Sequence, residues 1–275
     1  MSNPLAYFRH MANPGDCIAA MACMKTYYEL TNRKIVFCQI IDAPGNYYPS
    51  AVHPTLSEDG VQVTMNSKMF DMVKPLIESQ EYIERFEKFD GQKVTVDLDV
   101  IRGKINVGMP NGFLASWPMY AFPDLGRDIS KPWMDFPDDD HPIKETVKGK
   151  VIVNFTERYR NHTIRYDFLK SYAPDLIFAG TEREYYLFTN TYNVNIPKLE
   201  VEDFLQYAYA IKFCRFFMGN QSMGWNLAGA MGKARLLEVC FFAHNCHPFV
   251  GADNFGYAYQ EGAEFWFRRM YNDYK

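Results

Sequence analysis

The sequence predicts an α/β protein of two Rossmann-like lobes, each with a parallel sheet, and a ligand cleft between them. Three observations carry this expectation. Residues 4–10 read as a strand, 16–30 as a helix and 34–41 as a second strand, a βαβ unit at the start of the chain. After Tyr120 the composition shifts: Pro123, Pro132, Pro137, Pro142 and the acidic run Asp138, Asp139, Asp140 mark a linker. Beyond it, strand and helix patterns alternate again. That alternation is the signature of a parallel sheet, because each parallel strand needs a crossover, usually a helix.

In the first predicted helix, Ile18, Ala19, Ala22, Cys23 and Tyr27 form one stripe, and Asp16 is well placed to cap its start. The largely apolar run 34–41 suits a strand buried on both faces. Residues 68–79 read as a helix. Residues 94–101 alternate through Val94, Val96, Leu98 and Val100 and read as a strand. The first lobe is expected over 1–125 and the linker over 126–150. A second lobe over 151–253 holds strands at 151–155, 175–179, 213–218 and 235–242. Helices at 166–172, 201–209 and 224–231 stand between them. A last helix, from about Asn254, closes the chain.

Bulk composition narrows the function classes. The 275 residues are 48% apolar and 16% aromatic, enough for a sizeable core and inconsistent with a disordered chain. The net charge of −4 shows no basic surplus of the kind that grips nucleic-acid phosphates. The six cysteines sit mostly in apolar runs, as free thiols of a reducing compartment do. The start of the chain lacks a signal-peptide pattern, and no run approaches ~18 uncharged apolar residues. The expected location is the cytoplasm, with no transmembrane segment.

Four segments carry candidate chemistry, each just past a predicted strand. Asn13-Pro14-Gly15-Asp16 places a glycine and a carboxylate at a helix start, where amides favour negative charge; Asp16 is either a cap or a cleft-facing acid. The 219–226 turn contains Gly219, Asn220, Gln221, Ser222, Met223, Gly224 and Asn226. It offers amides, a hydroxyl and a helix dipole to a diphosphate, or is simply a tight connection. In the 154–160 segment Arg158 or Arg160 can balance diphosphate charge, or the segment is a solvated, locally basic loop. Gly180-Thr181-Glu182 either lines a nucleotide site or opens a helix.

Three further patterns are weighed against sites. Asp97-Leu98-Asp99 has the Asp-x-Asp form of a metal motif but lies inside the strand-like alternation, so two carboxylates on a solvated face are expected. Cys240, His244, Cys246 and His247 lack the paired spacing of strong zinc sites. Asp138 to His141 belongs to the linker. No metal site is expected.

Taken together, the four segments resemble the heptosyltransferase family of GT-B glycosyltransferases. That family opens with a strand and a Gly-Asp pair, here Gly15-Asp16. Its second lobe carries a turn like Gly-Asn-Asp-Ser-Gly-Pro-x-His-Leu-Ala-Ala-Ala-Leu-Gly, which aligns without a gap on 219–232. Gly219, Asn220, Ser222, Leu227, Ala228, Ala230 and Gly232 match. Gln221 replaces the acidic residue, Asn226 the histidine, and Met223-Gly224 the Gly-Pro. Thr181-Glu182 after Gly180 resembles the family's Gly-Gly-Pro-Glu stretch.

The resemblance implies an inverting, metal-independent transfer from a nucleotide sugar, which is a substrate and not a cofactor, to a hydroxyl acceptor. It implies Asp16 as base and a donor held by Gly15, Thr156, Arg158, Gly180, Thr181, Glu182 and the 219–226 turn. The last helix is expected to cross back to the first lobe. The acceptor is a glycan, a lipid-linked sugar or a modified nucleobase. A sugar-nucleotide epimerase of the same fold and a binding protein without activity remain alternatives.

Overall fold

The computed structural model describes residues 4–45, 55–103, 113–243, 245–247 and 253–274. In the first lobe β1 (Ala6–His10) leads into α1 (Pro14–Thr31) and β2 (Ile35–Gln39). Next come α2 (Ser67–Glu78), β3 (Ile83–Lys88), β4 (Val96–Asp97) and a helical turn α3 (Val100–Gly103). The strands form one parallel sheet in the order β3-β2-β1-β4, with Phe8 opposite Phe37 and Arg9 opposite Asp97. β2 is buried along its whole length, as its composition requires. The strand expected over 94–101 is cut to Val96–Asp97. Asp97 accepts from the Asp99 amide (3.1 Å) and Asp99 from Met11 N (3.0 Å), and the chain turns into α3.

Residues 113–150 cross between the lobes and carry α4 (Trp117–Ala121) and α5 (Lys144–Val147). Most of the stretch expected as the linker, 126–150, is exposed or half-buried, but a few of its residues are anchored in the core. Trp133 is fully buried. Its indole N–H donates to Ile18 O of α1 at 2.8 Å, its carbonyl accepts from Tyr82 Oη at 3.0 Å, and its amide donates to Ala230 O at 2.8 Å.

The second lobe holds β5 (Val151–Asn154), β6 (Leu176–Phe178), α6 (Glu182–Tyr192), α7 (Phe204–Phe213), β7 (Phe217–Gly219), α8 (Met223–Ala230), β8 (Arg235–Glu238), β9 (Asn254–Tyr257) and α9 (Gln260–Asp273). Its five strands are all parallel, in the order β6-β5-β7-β8-β9. The expected helix at 166–172 is instead a 3-10 stretch, Asp167–Asp175, interrupted by Pro174. The expected last helix divides into β9 and α9. The buried face of α9, Ala263, Phe267 and Met270, packs into the second lobe's own core with Phe216 and Met218.

α1 explains how the lobes join. Cys17 to Met24 are all buried, so the helix is apolar around its circumference, as a helix covered on both sides must be. One side covers the first sheet, where Phe8 meets Tyr27 edge to face at 5.2 Å. The other packs against α8. No helix among the described residues is long and apolar enough to cross a membrane.

Candidate functional site

Each sheet has a point where strand order reverses: between β1 and β4 in the first lobe, and between β5 and β7 in the second. In open parallel sheets ligands bind beyond the strand ends at such points. Three of the four chemistry-bearing segments lie there, following β1, β5 and β7; the fourth follows β6 beside β5.

α1 begins two residues earlier than expected. Asn13, extended at φ −67° and ψ 159°, is its N-cap, and Pro14 takes the first helical position, where its missing N–H costs nothing. Asp16 is therefore not the cap. It is a half-buried carboxylate inside the first turn, where the helix dipole favours it by ~0.3–1 kcal/mol.

The turn after β7 is buried, and most of its polar groups are engaged. Asn220 Oδ1 accepts from Thr156 N at 2.9 Å, and its amide donates to Thr156 O at 3.2 Å, so two candidate donor residues hold each other. Ser222 caps α8: its Oγ accepts from Trp225 N (3.2 Å) and donates to Asn154 Oδ1 (2.7 Å). Asn154 also donates to Ala179 O at 2.6 Å and so ties together the ends of β5, β6 and β7. Asn154 opens the 154–160 segment but is not among the candidate donor residues, because the sequence places it inside the strand expected over 151–155.

The segments singled out in the two lobes meet here. Asn226 Nδ2 donates to Gly15 O at 3.3 Å. A Cβ at Gly15 would lie 2.9 Å from that nitrogen and 3.3 Å from Met223 Cα, so a side chain there would displace the Asn226 amide and press on the start of α8. Gln221 Oε1 and Asn226 Oδ1 are buried with no hydrogen-bond partner among the described residues. The amides of Met223 and Gly224, in the first turn of α8, have no intrahelical acceptor. Gly224 itself answers to packing, since a Cβ there would stand 2.5 Å from Tyr207 Oη and 3.0 Å from Phe217 Cζ.

The remaining candidates are more structural. Thr181 and Glu184 form a reciprocal capping box on α6, and Glu182 pairs with Lys198 at 2.6 Å, so the segment after Gly180 opens a helix. Arg158 lies over the Tyr159 ring. Arg160 is committed to Glu238, with Nε to Oε1 at 2.9 Å. Glu238 is fully buried and also accepts from Asn161 N (2.6 Å) and from Tyr166 Oη. Burial opposes the Arg160 charge, but Glu238 outweighs it and holds the guanidinium above its usual range.

At the first lobe's switch point, Asp97 and Asp99 do not share a solvated face. Asp97 pairs with Arg9 at 2.6 Å, and Asp99 meets His10 Nδ1 at 2.7 Å. No group of three or more His, Cys, Asp or Glu suited to a metal occurs among the described residues. His244 lies outside those residues. Cys246 Sγ accepts from Cys240 N at 3.2 Å, and burial pushes its thiol up to about 12.

No protein-family profile matches the chain, and no curated protein is detectably similar in sequence. Among solved structures it is similar to a family 9 glycosyl transferase from Veillonella parvula, with 8% identity, TM-score 0.48, and coverage of 100% of this chain and 91% of that one. It is also similar to ADP-heptose LPS heptosyltransferase II from E. coli (9% identity, TM-score 0.49, 98% of each chain). The UDP-N-acetylglucosamine 2-epimerase described for Listeria monocytogenes is further away (11%, TM-score 0.39, 86% and 79%). At such identities the likeness concerns the fold alone. The strand orders themselves make this chain a two-lobed α/β protein with an all-parallel sheet in each lobe.

Proposed function

We propose that the protein transfers a sugar from a nucleotide-sugar donor to a hydroxyl acceptor, with inversion and without a metal. One observation carries the reading. The helices that follow β1 and β7, α1 and α8, touch at their starts through Gly15 and Asn226, and near that junction lie the acceptors Gln221 Oε1 and Asn226 Oδ1, which have no partner among the described residues. Amides at a helix start suit a diphosphate. Buried oxygen acceptors suit hydroxyl donors, which a diphosphate lacks and a sugar or ribose brings. The gap-free match of 219–232 to the heptosyltransferase turn supports the same reading.

In this mechanism the donor lies against the second lobe. Met223 and Gly224 amides, with Arg158 nearby in the 156–158 loop, offset charge growing on the leaving diphosphate. Asp16, in the turn of α1 against that site, takes the acceptor hydroxyl's proton as the oxygen attacks the anomeric carbon from the face opposite the diphosphate. The C–O bond to the diphosphate breaks, and its electron pair leaves with the phosphate.

Product analysis tests the reading. Purified protein is incubated with nucleotide sugars and acceptors in EDTA, and products are resolved by mass spectrometry and NMR. A new glycoside of inverted configuration is expected. An epimerised sugar nucleotide points to the isomerase, unchanged donor to a binding protein, and activity restored only by magnesium or manganese contradicts the metal-free mechanism.

A further inference from the structure

The loop after β5, residues 155–161, is held at both ends by residues from elsewhere in the second sheet. At its far end Glu238 of β8 binds the Arg160 guanidinium at 2.9 Å and the Asn161 amide at 2.6 Å. At its near end the fully buried Asn220, just past β7, grips it through its side chain. Between the two clamps Tyr159 takes a left-handed backbone, with φ 55°. A large aromatic residue adopts that conformation only where its surroundings impose it.

The sequence counts Asn220 among the donor's ligands, but its hydrogen bonds all run to the loop. A carboxamide has two N–H donors and one acceptor oxygen. Oδ1 accepts from Thr156 N at 2.9 Å. Nδ2 donates to Thr156 O at 3.2 Å and to Arg158 O. Thr156 Oγ1 fits beside both ends, 3.4 Å from Oδ1 and 3.2 Å from Nδ2. These partners also fix the orientation of the amide, because a backbone N–H faces one end and two carbonyls face the other. Both donors and the acceptor are therefore engaged inside the protein.

We infer that Asn220 is a positioning residue: it fixes the 156–158 backbone so that Arg158 meets the leaving diphosphate. The inference rests on the transfer reading and moves Asn220 from the donor's ligands to the support of one. Without this clamp the carbonyl of Arg158 is released, Tyr159 relaxes out of the left-handed region, and the guanidinium is no longer held in place. A charge already held in place binds without the ordering cost of a mobile one.

A double-mutant cycle on the whole chain tests this. Binding of pyrophosphate, ADP, UDP and GDP is measured by calorimetry in EDTA for wild type, Asn220→Ala, Arg158→Met and the double variant. Arg158→Met should weaken binding by roughly 10- to 100-fold, the usual worth of a hydrogen bond to a charged group. Asn220→Ala should weaken it ~10-fold in the wild type but less than ~2-fold where Arg158 is already gone, whereas a direct ligand of the donor gives additive losses. Amide exchange of the ligand-free proteins reads the clamp itself. Asn220→Ala should speed exchange in peptides covering 155–161 and leave β1 and β2 of the first lobe unchanged, which a general loss of stability would not do. Asn220→Ser, which keeps a polar group at this buried position, takes its place if Asn220→Ala does not fold. Additive losses, undiminished binding by Asn220→Ala, or unchanged exchange over 155–161 overturns the inference and leaves the transfer reading standing. Binding of no probe by the wild type contradicts the transfer reading, and the inference falls with it.

Discussion

Asp16 stands three residues beyond the cap of α1, and this separates two roles that its sequence position merges. Because Asn13 is the cap, neither Asp16→Asn nor Asp16→Ala removes one, and each is expected to change stability by no more than the ~1 kcal/mol of a dipole interaction. The chemical step should fall by roughly 100- to 10,000-fold in Asp16→Asn, the usual worth of a positioned base, with donor affinity near wild type. Single-turnover rates and melting temperatures of the two variants check this; a fully active Asp16→Asn protein removes Asp16 from the mechanism. The sequence erred by two residues on the helix start, because Pro14 was read as part of a turn when it opens the helix. His10 was not legible at all. Its partner is 89 residues away, and only the pairing of β1 with β4 brings Asp99 to it. The same pairing gives Asp97 an ion pair with Arg9 and Asp99 a hydrogen-bond partner in His10, where the sequence showed a metal-like motif.

At the scale of elements, α8 shows how one pattern serves two purposes. The sequence located the helix to within a residue and read its glycines as room for a ligand. Gly15 and Gly224 in fact make room for protein: Met223 and Asn226 in one case, Tyr207 and Phe217 in the other. Gly224→Ala gains helix propensity of ~1 kcal/mol, but its methyl would lie 2.5 Å from a hydroxyl at the end of a rigid ring. Overpacking of this kind costs ~1–3 kcal/mol, so a net loss of stability is expected. Tyr207 Oη has no partner among the described residues, so Tyr207→Phe alone should be neutral or stabilising. The double variant should recover much of the Gly224→Ala loss. Chemical denaturation of the four proteins measures the coupling, and additive effects would show that Tyr207 is not the obstacle. The misread elements have local causes too. The 94–101 alternation was broken by its own aspartates, which bond to neighbouring backbone amides and turn the chain. β9 was hidden because Asn254–Tyr257 is too short to show a period before the helical pattern of α9 begins.

Over the whole molecule, the two parallel sheets were legible because buried strands advertise themselves as apolar runs separated by crossovers. How the lobes meet was not. α1 and α8 look like ordinary surface helices of their own lobes, yet they form the joint, and the proline-rich stretch read as the linker buries Trp133 against both. The joint gives the account its central claim: a nucleotide-sugar site where the start of α8 faces α1. Calorimetry with nucleoside diphosphates and their sugars tests it most directly, using wild type and Gln221→Leu. Replacing a buried side chain whose carbonyl oxygen has no partner among the described residues with an apolar group of similar size should cost the ligand-free protein little stability. One class of nucleotide sugar should stabilise the wild type by roughly 2.7 kcal/mol at 100 times its dissociation constant, with about tenfold weaker binding in Gln221→Leu. No response to any nucleotide or nucleotide sugar, or equal binding by both proteins, would contradict the claim.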